Sequence, residues 1–217
     1  MQRFLTVLGF LLASTYASAQ INTVVDLRLG MRDQVTYRYA EVFQVRDRWI
    51  FPDIGYVDFG GNDYREFFVG GGRKLFVSKP LTVIEILYFE QATGSAGDNA
   101  RWLIPWTLLA YEFHPRLGGE AVFFPYLPLN EAGRIQYVVD HATLQYSFSD
   151  IFKAGVGYGA YQFGDDQWQH KPFVIGTLTP AQGKFGSFEA WLQKLPDGKA
   201  QIQFRYKIVH KTRKPRP

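Results

Sequence analysis

Hydrophobic and polar residues alternate with period two along most of the chain, most cleanly near its end. In Gln201-Ile202-Gln203-Phe204-Arg205-Tyr206-Lys207-Ile208, one face reads Ile, Phe, Tyr, Ile and the other Gln, Gln, Arg, Lys. Successive side chains of a strand point to opposite faces, so this is the pattern of a half-buried β-strand. Residues 154–160 repeat it with small side chains: Ala154, Val156, Tyr158 and Ala160 alternate with Gly155, Gly157 and Gly159. Glycine weakens an ordinary strand, so three on one face predict a crowded interior or strong curvature. No long stretch carries apolar residues at helical spacing.

The alternation, punctuated by Gly, Pro, Asp and Asn, predicts strands over 22–30, 34–50, 54–60, 64–77, 81–91, 101–113, 119–127, 134–148, 152–163, 171–179, 184–195 and 200–210. Segment 54–60 is short, and Pro125 interrupts 119–127 with Pro128 following closely, so removing this pair gives the lower count. Short connections such as Met31-Arg32-Asp33 and Pro196-Asp197-Gly198 join them, which makes neighbours antiparallel, because parallel neighbours need long crossovers. The expected fold is all-β, an antiparallel up-and-down barrel of roughly 10–12 strands. With both termini on one side, the long polar connections 92–100 and 164–170 fall together on the other.

The start of the chain adds an address. Arg3, the apolar run Phe4 to Ala13 and the small-x-small Ala17-Ser18-Ala19 have the layout of a cleaved secretory signal peptide. The run is too short for a bilayer-spanning helix, which needs about 20 apolar residues. The expected organisation is a signal peptide at 1–19, one barrel domain at 20–210 and a basic, disordered tail at 211–217. The chain has no Cys, which excludes disulfides, thiol nucleophiles, Cys-ligated metals and a lipidated cysteine anchor.

Charge and composition narrow the partners. The formal net charge of +4 comes from the ends, since residues 20–204 hold 17 basic and 20 acidic residues, a net of −3. A mildly acidic, exported body is not a nucleic-acid binder. Aromatic residues make up 17% of the chain, and rings with a polar tip favour apolar–wet boundaries. Trp49, Phe51, Trp102 and Trp191 lie near segment ends, where an interfacial girdle would sit. A membrane barrel then places Asp26, Arg28, Gln201, Gln203, Arg205 and Lys207 toward the lumen, and Ile202, Phe204, Tyr206 and Ile208 toward lipid. Segments 81–89 and 102–111 are apolar on both faces, which an open aqueous pore should not contain. A narrow barrel with a packed interior accommodates them, as does a soluble periplasmic barrel or sandwich that binds an apolar ligand. Glu85 stands out there as a buried charge, to be paired with an Arg such as Arg38 or Arg73.

At this point the chain resembles bacterial outer-membrane β-barrel proteins in general, through pattern over most of residues 20–210. Those proteins end on a strand of alternating large apolar residues read by the barrel assembly machinery. Phe204, Tyr206 and Ile208 match that alternation, and the chain departs from it by continuing into Lys211-Thr212-Arg213-Lys214-Pro215-Arg216-Pro217. The resemblance implies an outer-membrane monomer with lipid and the assembly machinery as partners.

Residues for chemistry are sparse. The four histidines, His114, His141, His170 and His210, include no pair at metal-ligand spacing. Asp165-Asp166 could hold a divalent cation but reads better as a solvated acidic loop, and Gly70-Gly71-Gly72 lacks the Lys-Ser/Thr ending of a phosphate loop. His141, Thr143 and Ser147 share a strand face, and outer-membrane lipid A deacylases carry a His-x-Ser pair on such a strand. Here Thr143 stands at the serine's place, and Asp140 is expected on the opposite face. The sequence therefore predicts no catalytic residues, cofactor or metal. It predicts a non-enzymatic outer-membrane barrel, either a narrow channel for small solutes or a structural barrel of the envelope. The alternatives are a soluble ligand-binding barrel and, more distantly, a lipid-modifying barrel enzyme.

Overall fold

The stretches of alternating sequence become strands, each hydrogen-bonded to the next in the chain. The computed structural model describes residues 21–60, 63–94 and 99–211. Its strands are β1 (Ile21–Met31), β2 (Val35–Arg46), β3 (Trp49–Phe59), β4 (Tyr64–Val77), β5 (Leu81–Thr93), β6 (Arg101–His114), β7 (Leu117–Pro128), β8 (Gln136–Ser147), β9 (Phe152–Phe163), β10 (Gln169–Leu178), β11 (Ser187–Lys194) and β12 (Ala200–Lys211). Every pairing is antiparallel, and β12 returns to β1 to close the barrel. Closure leaves no edge strand with unpaired backbone groups. The expected signal peptide and residues 212–217 of the tail lie outside the described residues. Lys211 belongs to β12 and pairs with Asn22.

Both described termini sit at one end of the barrel. The β1–β2, β3–β4, β5–β6, β7–β8, β9–β10 and β11–β12 connections leave the other end, so the two long polar connections do fall together there. The longest connection at the terminal end, β10–β11, carries a short 3₁₀ turn at Pro180–Gly183. The two doubtful segments are both strands. The largest boundary difference from the sequence reading is between β2 and β3: the turn is at Asp47-Arg48, with Asp47 at a positive φ of 54°, and Phe51-Pro52-Asp53 continues β3. Proline and aspartate mimic a turn in sequence, but here they sit where β3 loses register with β4, between Ile50 and Asp53.

The outer wall is apolar. Leu27, Val69, Leu87, Val174, Leu192 and Ile202 all expose large hydrophobic side chains, and Phe204 is 47% exposed. The inner wall mixes aromatic rings with polar and charged groups. Rings lie directly over neighbouring glycines: a Cβ on Gly70 would stand 2.4 Å from the Tyr88 ring, and one on Gly157 would stand 2.2 Å from the Phe173 ring. The glycine row of β9 therefore answers a crowded interior, because only a missing side chain lets Phe173 cross it.

Three expectations about individual side chains are corrected. Trp102 and Trp191 are buried inside the barrel, not in an interfacial girdle, whereas Trp49 and Phe51 are exposed. Glu85 is exposed, standing across from Arg73 and Thr107. The buried acid of β5 is Glu90, on the face of Ile86 and Tyr88. Strand parity places Glu85 and Glu90 on opposite faces, and two apolar faces hide which is inner.

Candidate functional site: a charged ring across the lumen

Alternation along β1 turns Val24, Asp26 and Arg28 inward, and along β12 it turns Gln203 and Arg205 inward. Cross-strand register sets Asp26 opposite Lys207 and Arg28 opposite Arg205, which makes Asp26 and Arg205 diagonal neighbours on the inner face. The Arg205 guanidinium donates through Nε to both Asp26 oxygens, at 3.1 and 2.9 Å, and through Nη2 to Oδ2 at 2.6 Å. Its Nη1 reaches across the lumen and donates to Glu120 Oε1 at 2.8 Å. Glu120 is on β7, six strands from β1 in either direction around the barrel.

From Glu120 the contacts return by a second route. His141 on β8 meets Glu120 Oε1 through Nε2 at 2.9 Å and Asp140 Oδ2 through Nδ1 at 2.7 Å. Arg28 Nη1 donates to Asp140 Oδ2 at 2.8 Å, and Arg28 Nη2 lies 3.5 Å from Asp26 Oδ2. Asp26, Arg205, Glu120, His141, Asp140 and Arg28 thus form a closed ring in which acids and nitrogen bases alternate. Asp26 is only 1% exposed and Arg205 5%, so the charges have lost their water and are compensated by one another. Trp191 completes the layer, stacked on Phe173 with centroids 4.7 Å apart and 5.3 Å from the His141 ring.

A register irregularity makes the ring possible. Simple alternation would turn Asp140 and His141 to opposite faces. The β8–β9 register shifts between Val139 and Ala142, and the β7–β8 register shifts between Val122 and Phe123. Asp140 and His141 consequently both face the interior, which corrects the expectation that Asp140 points away.

The ring lies between two cavities. The larger, about 1110 Å³, is at the end away from the termini; Arg28 and Asp140 border it, with Gln201 and Gln203 on one wall and Tyr39, Trp102, Trp106 and Tyr126 among its rings. The smaller, about 330 Å³, is at the terminal end and is bordered by Glu120, Thr143, Gln145, Glu189 and Lys207. Trp191 borders both. On the outer face, Ile202 and Phe204 are exposed, Tyr206 and Ile208 are half-buried, and Tyr206 packs on Phe188 at 4.6 Å.

The hydrolase constellation does not assemble. Both ring nitrogens of His141 are held by carboxylates, and the Thr143 hydroxyl engages the Glu120 main chain at 3.2 Å. Ser147 borders the terminal-end cavity. Among the described residues, no group of three or more His, Cys, Asp or Glu is placed to hold a metal ion, and Asp165 and Asp166 are exposed. Asp26, Arg28 and Arg205 were singled out in the sequence as polar residues of the first and last strands; Glu120, which Arg205 contacts, and Trp191, which packs beside His141, were not read as part of this layer. Glu120 follows Gly118-Gly119 in a strand with a weak alternating signal, and only barrel closure brings it opposite Arg205.

No protein-family model matches the chain, and no curated protein matches it in sequence. Solved structures do match in shape. The NanC porin superposes with a TM-score of 0.59 at 11% identity, covering 87% of this chain and 100% of that one. The KdgM porin in complex with disordered oligogalacturonate gives 0.55 at 9% identity, covering 88% and 99%. An outer-membrane channel from Pseudomonas putida F1 gives 0.55 at 8% identity, covering 90% and 97%. At such identities the likeness is one of fold: this chain has the closed barrel architecture of bacterial outer-membrane porins.

Proposed function

We propose that the chain is a non-enzymatic outer-membrane β-barrel that passes small solutes through a narrow lumen, with the charged ring as its constriction. The observation that carries this reading is the inversion of the wall: large apolar side chains outside, ion pairs and cavities inside. A soluble barrel fills its interior with apolar residues and turns polar ones to water; a bilayer-embedded barrel does the reverse. An outer surface this apolar would associate or precipitate in water. In this reading Ile202, Phe204, Tyr206 and Ile208 meet lipid, while Asp26, Arg28, Gln201, Gln203, Arg205 and Lys207 line the solute path. The terminal end faces the periplasm, the two long polar connections β5–β6 and β9–β10 face outward, and β12 presents the alternation read by the barrel assembly machinery. In this reading the barrel, whose sheet is complete within one chain, works as a monomer. The shared architecture with porins supports a channel over a purely structural barrel.

Single-channel recording in planar bilayers tests the proposal. The wild-type protein is expected to give small unitary steps, and Asp26→Ala/Arg205→Ala, which removes the charges bridging the lumen, to enlarge them about two-fold or more. Silence from both proteins would refute the channel reading.

A further inference from the structure

The larger cavity holds a second group of buried acids that the ring does not use. Glu66 on β4 and Glu90 on β5 both border it, and Glu90 is 4% exposed. The β4–β5 register sets Glu66 across from Ala92 and Glu90 across from Phe68, so the two acids are diagonal neighbours on the inner face of adjacent strands. Glu66 accepts from the Tyr64 hydroxyl at 2.8 Å and from the Tyr126 hydroxyl at 3.5 Å. Glu90 Oε1 is buried with no hydrogen-bond partner among the described residues. Neither carboxyl takes part in an ion pair among the described residues, although Arg28, Arg134 and Lys171 border the same cavity. Two neighbouring buried carboxyl groups without an ion pair need a proton or a cation to compensate them. Further toward the ring, Glu41 and Asp53 repeat the motif: the Tyr88 hydroxyl donates to Asp53 at 2.8 Å, and Asp53 Oδ1 is also buried without a partner.

The rest of this wall is aromatic. Trp102 stands edge-on to Tyr126 at 5.5 Å, Phe124 lies 5.6 Å from Tyr126, and Trp106 is edge-on to Tyr88 at 6.3 Å. Aromatic faces attract cations, and flat rings also accept an apolar body. A divalent metal is poorly served here, since Ca²⁺ takes about 6–8 oxygen ligands. An organic ammonium ion uses everything present: its N–H groups donate to the unsatisfied Glu90 oxygen and to the neighbouring Glu66 while its carbon body rests on the rings.

We propose that the Glu66–Glu90 pair binds the ammonium head of a small organic amine that enters the larger cavity. The inference rests on the lumen being a solute path and names the class of solute for it. Isothermal titration of the purified full-length protein in detergent, with benzylamine, benzyl alcohol and benzoate, tests it on one body with three head groups. Benzylamine is expected to bind about ten-fold or more tighter than benzyl alcohol, with benzoate weakest. Glu66→Gln/Glu90→Gln is expected to reduce benzylamine to the level of benzyl alcohol. Equal binding of amine and alcohol by the wild type would overturn the proposal without reliance on any variant. So would tightest binding of benzoate, which would move the site to the basic side chains of the cavity. Conductance is read separately: a silent bilayer with intact amine preference sinks the channel alone, and a conducting barrel without that preference sinks this inference alone.

Discussion

Arg205→Met keeps the aliphatic stem of the arginine and removes its charge from the centre of the ring. Arg205 holds Asp26 through contacts as short as 2.6 Å and Glu120 at 2.8 Å, with Glu189 at 3.6 Å. A charge pair about 4 Å apart is worth about 4 kcal/mol at an effective dielectric constant of about 20. Much of that attraction is offset in the intact protein by the several kcal/mol needed to desolvate each ion. Removing only the arginine leaves that desolvation cost in place for Asp26 and Glu120 and removes the compensation. The expected loss is about 3–5 kcal/mol. Asp26→Asn/Arg205→Met removes both members of the tightest pair, and its expected loss is within about 2 kcal/mol of wild type. Equilibrium unfolding by denaturant in phospholipid gives both numbers, with tryptophan emission as the probe because Trp191 abuts His141 in the ring layer. A loss below about 1 kcal/mol for the single variant, or a double variant that costs the sum of two singles, would refute the account of the ring as a mutually compensated network.

Gly157→Ala should lower stability by about 1–3 kcal/mol through the clash with the Phe173 ring. The same change at Gly176, whose added Cβ would meet only Phe152 at 3.8 Å, should cost under about 0.5 kcal/mol in the same unfolding assay. Phe204→Lys places a charge on the outer face near mid-strand and should cost about 2–4 kcal/mol in phospholipid; a neutral outcome would argue that this face is wet. Neither the wild type nor His141→Ala should release fatty acid from lipid A, while His141→Ala should alter unitary conductance.

The barrel was readable from the sequence because strand period is local information: a hydrophobic residue at every second position needs no knowledge of its partner. Even Leu117–Pro128, interrupted by Pro125, keeps enough alternation to take its place between β6 and β8. What alternation cannot supply is the sign of a face when both faces are apolar. Hence Glu85 looked buried in Leu81–Thr93 when Glu90 is, and Trp102 looked interfacial when it packs inside. A register shift also resets parity, as at Asp140 and His141, and nothing in Val139-Asp140-His141-Ala142 announces it. The ring itself is non-local: Asp26 and Arg205 meet only when β12 closes on β1, and Glu120 arrives from the opposite wall. The polar residues of the first and last strands were visible in the sequence. Their partners were not, since barrel closure creates the pairing.

The absence of cysteine makes the direction of the wall directly measurable. Single cysteines introduced one at a time at 201–208 of an otherwise cysteine-free barrel can be nitroxide-labelled in lipid bilayers. Their collision rates with oxygen and with a water-soluble nickel chelate can then be compared. A period-two profile is expected, with oxygen favoured at 202, 204, 206 and 208 and oxygen access low at 201, 203, 205 and 207. Preferential access of the nickel chelate to positions 202, 204, 206 and 208, or a profile without alternation, would contradict it.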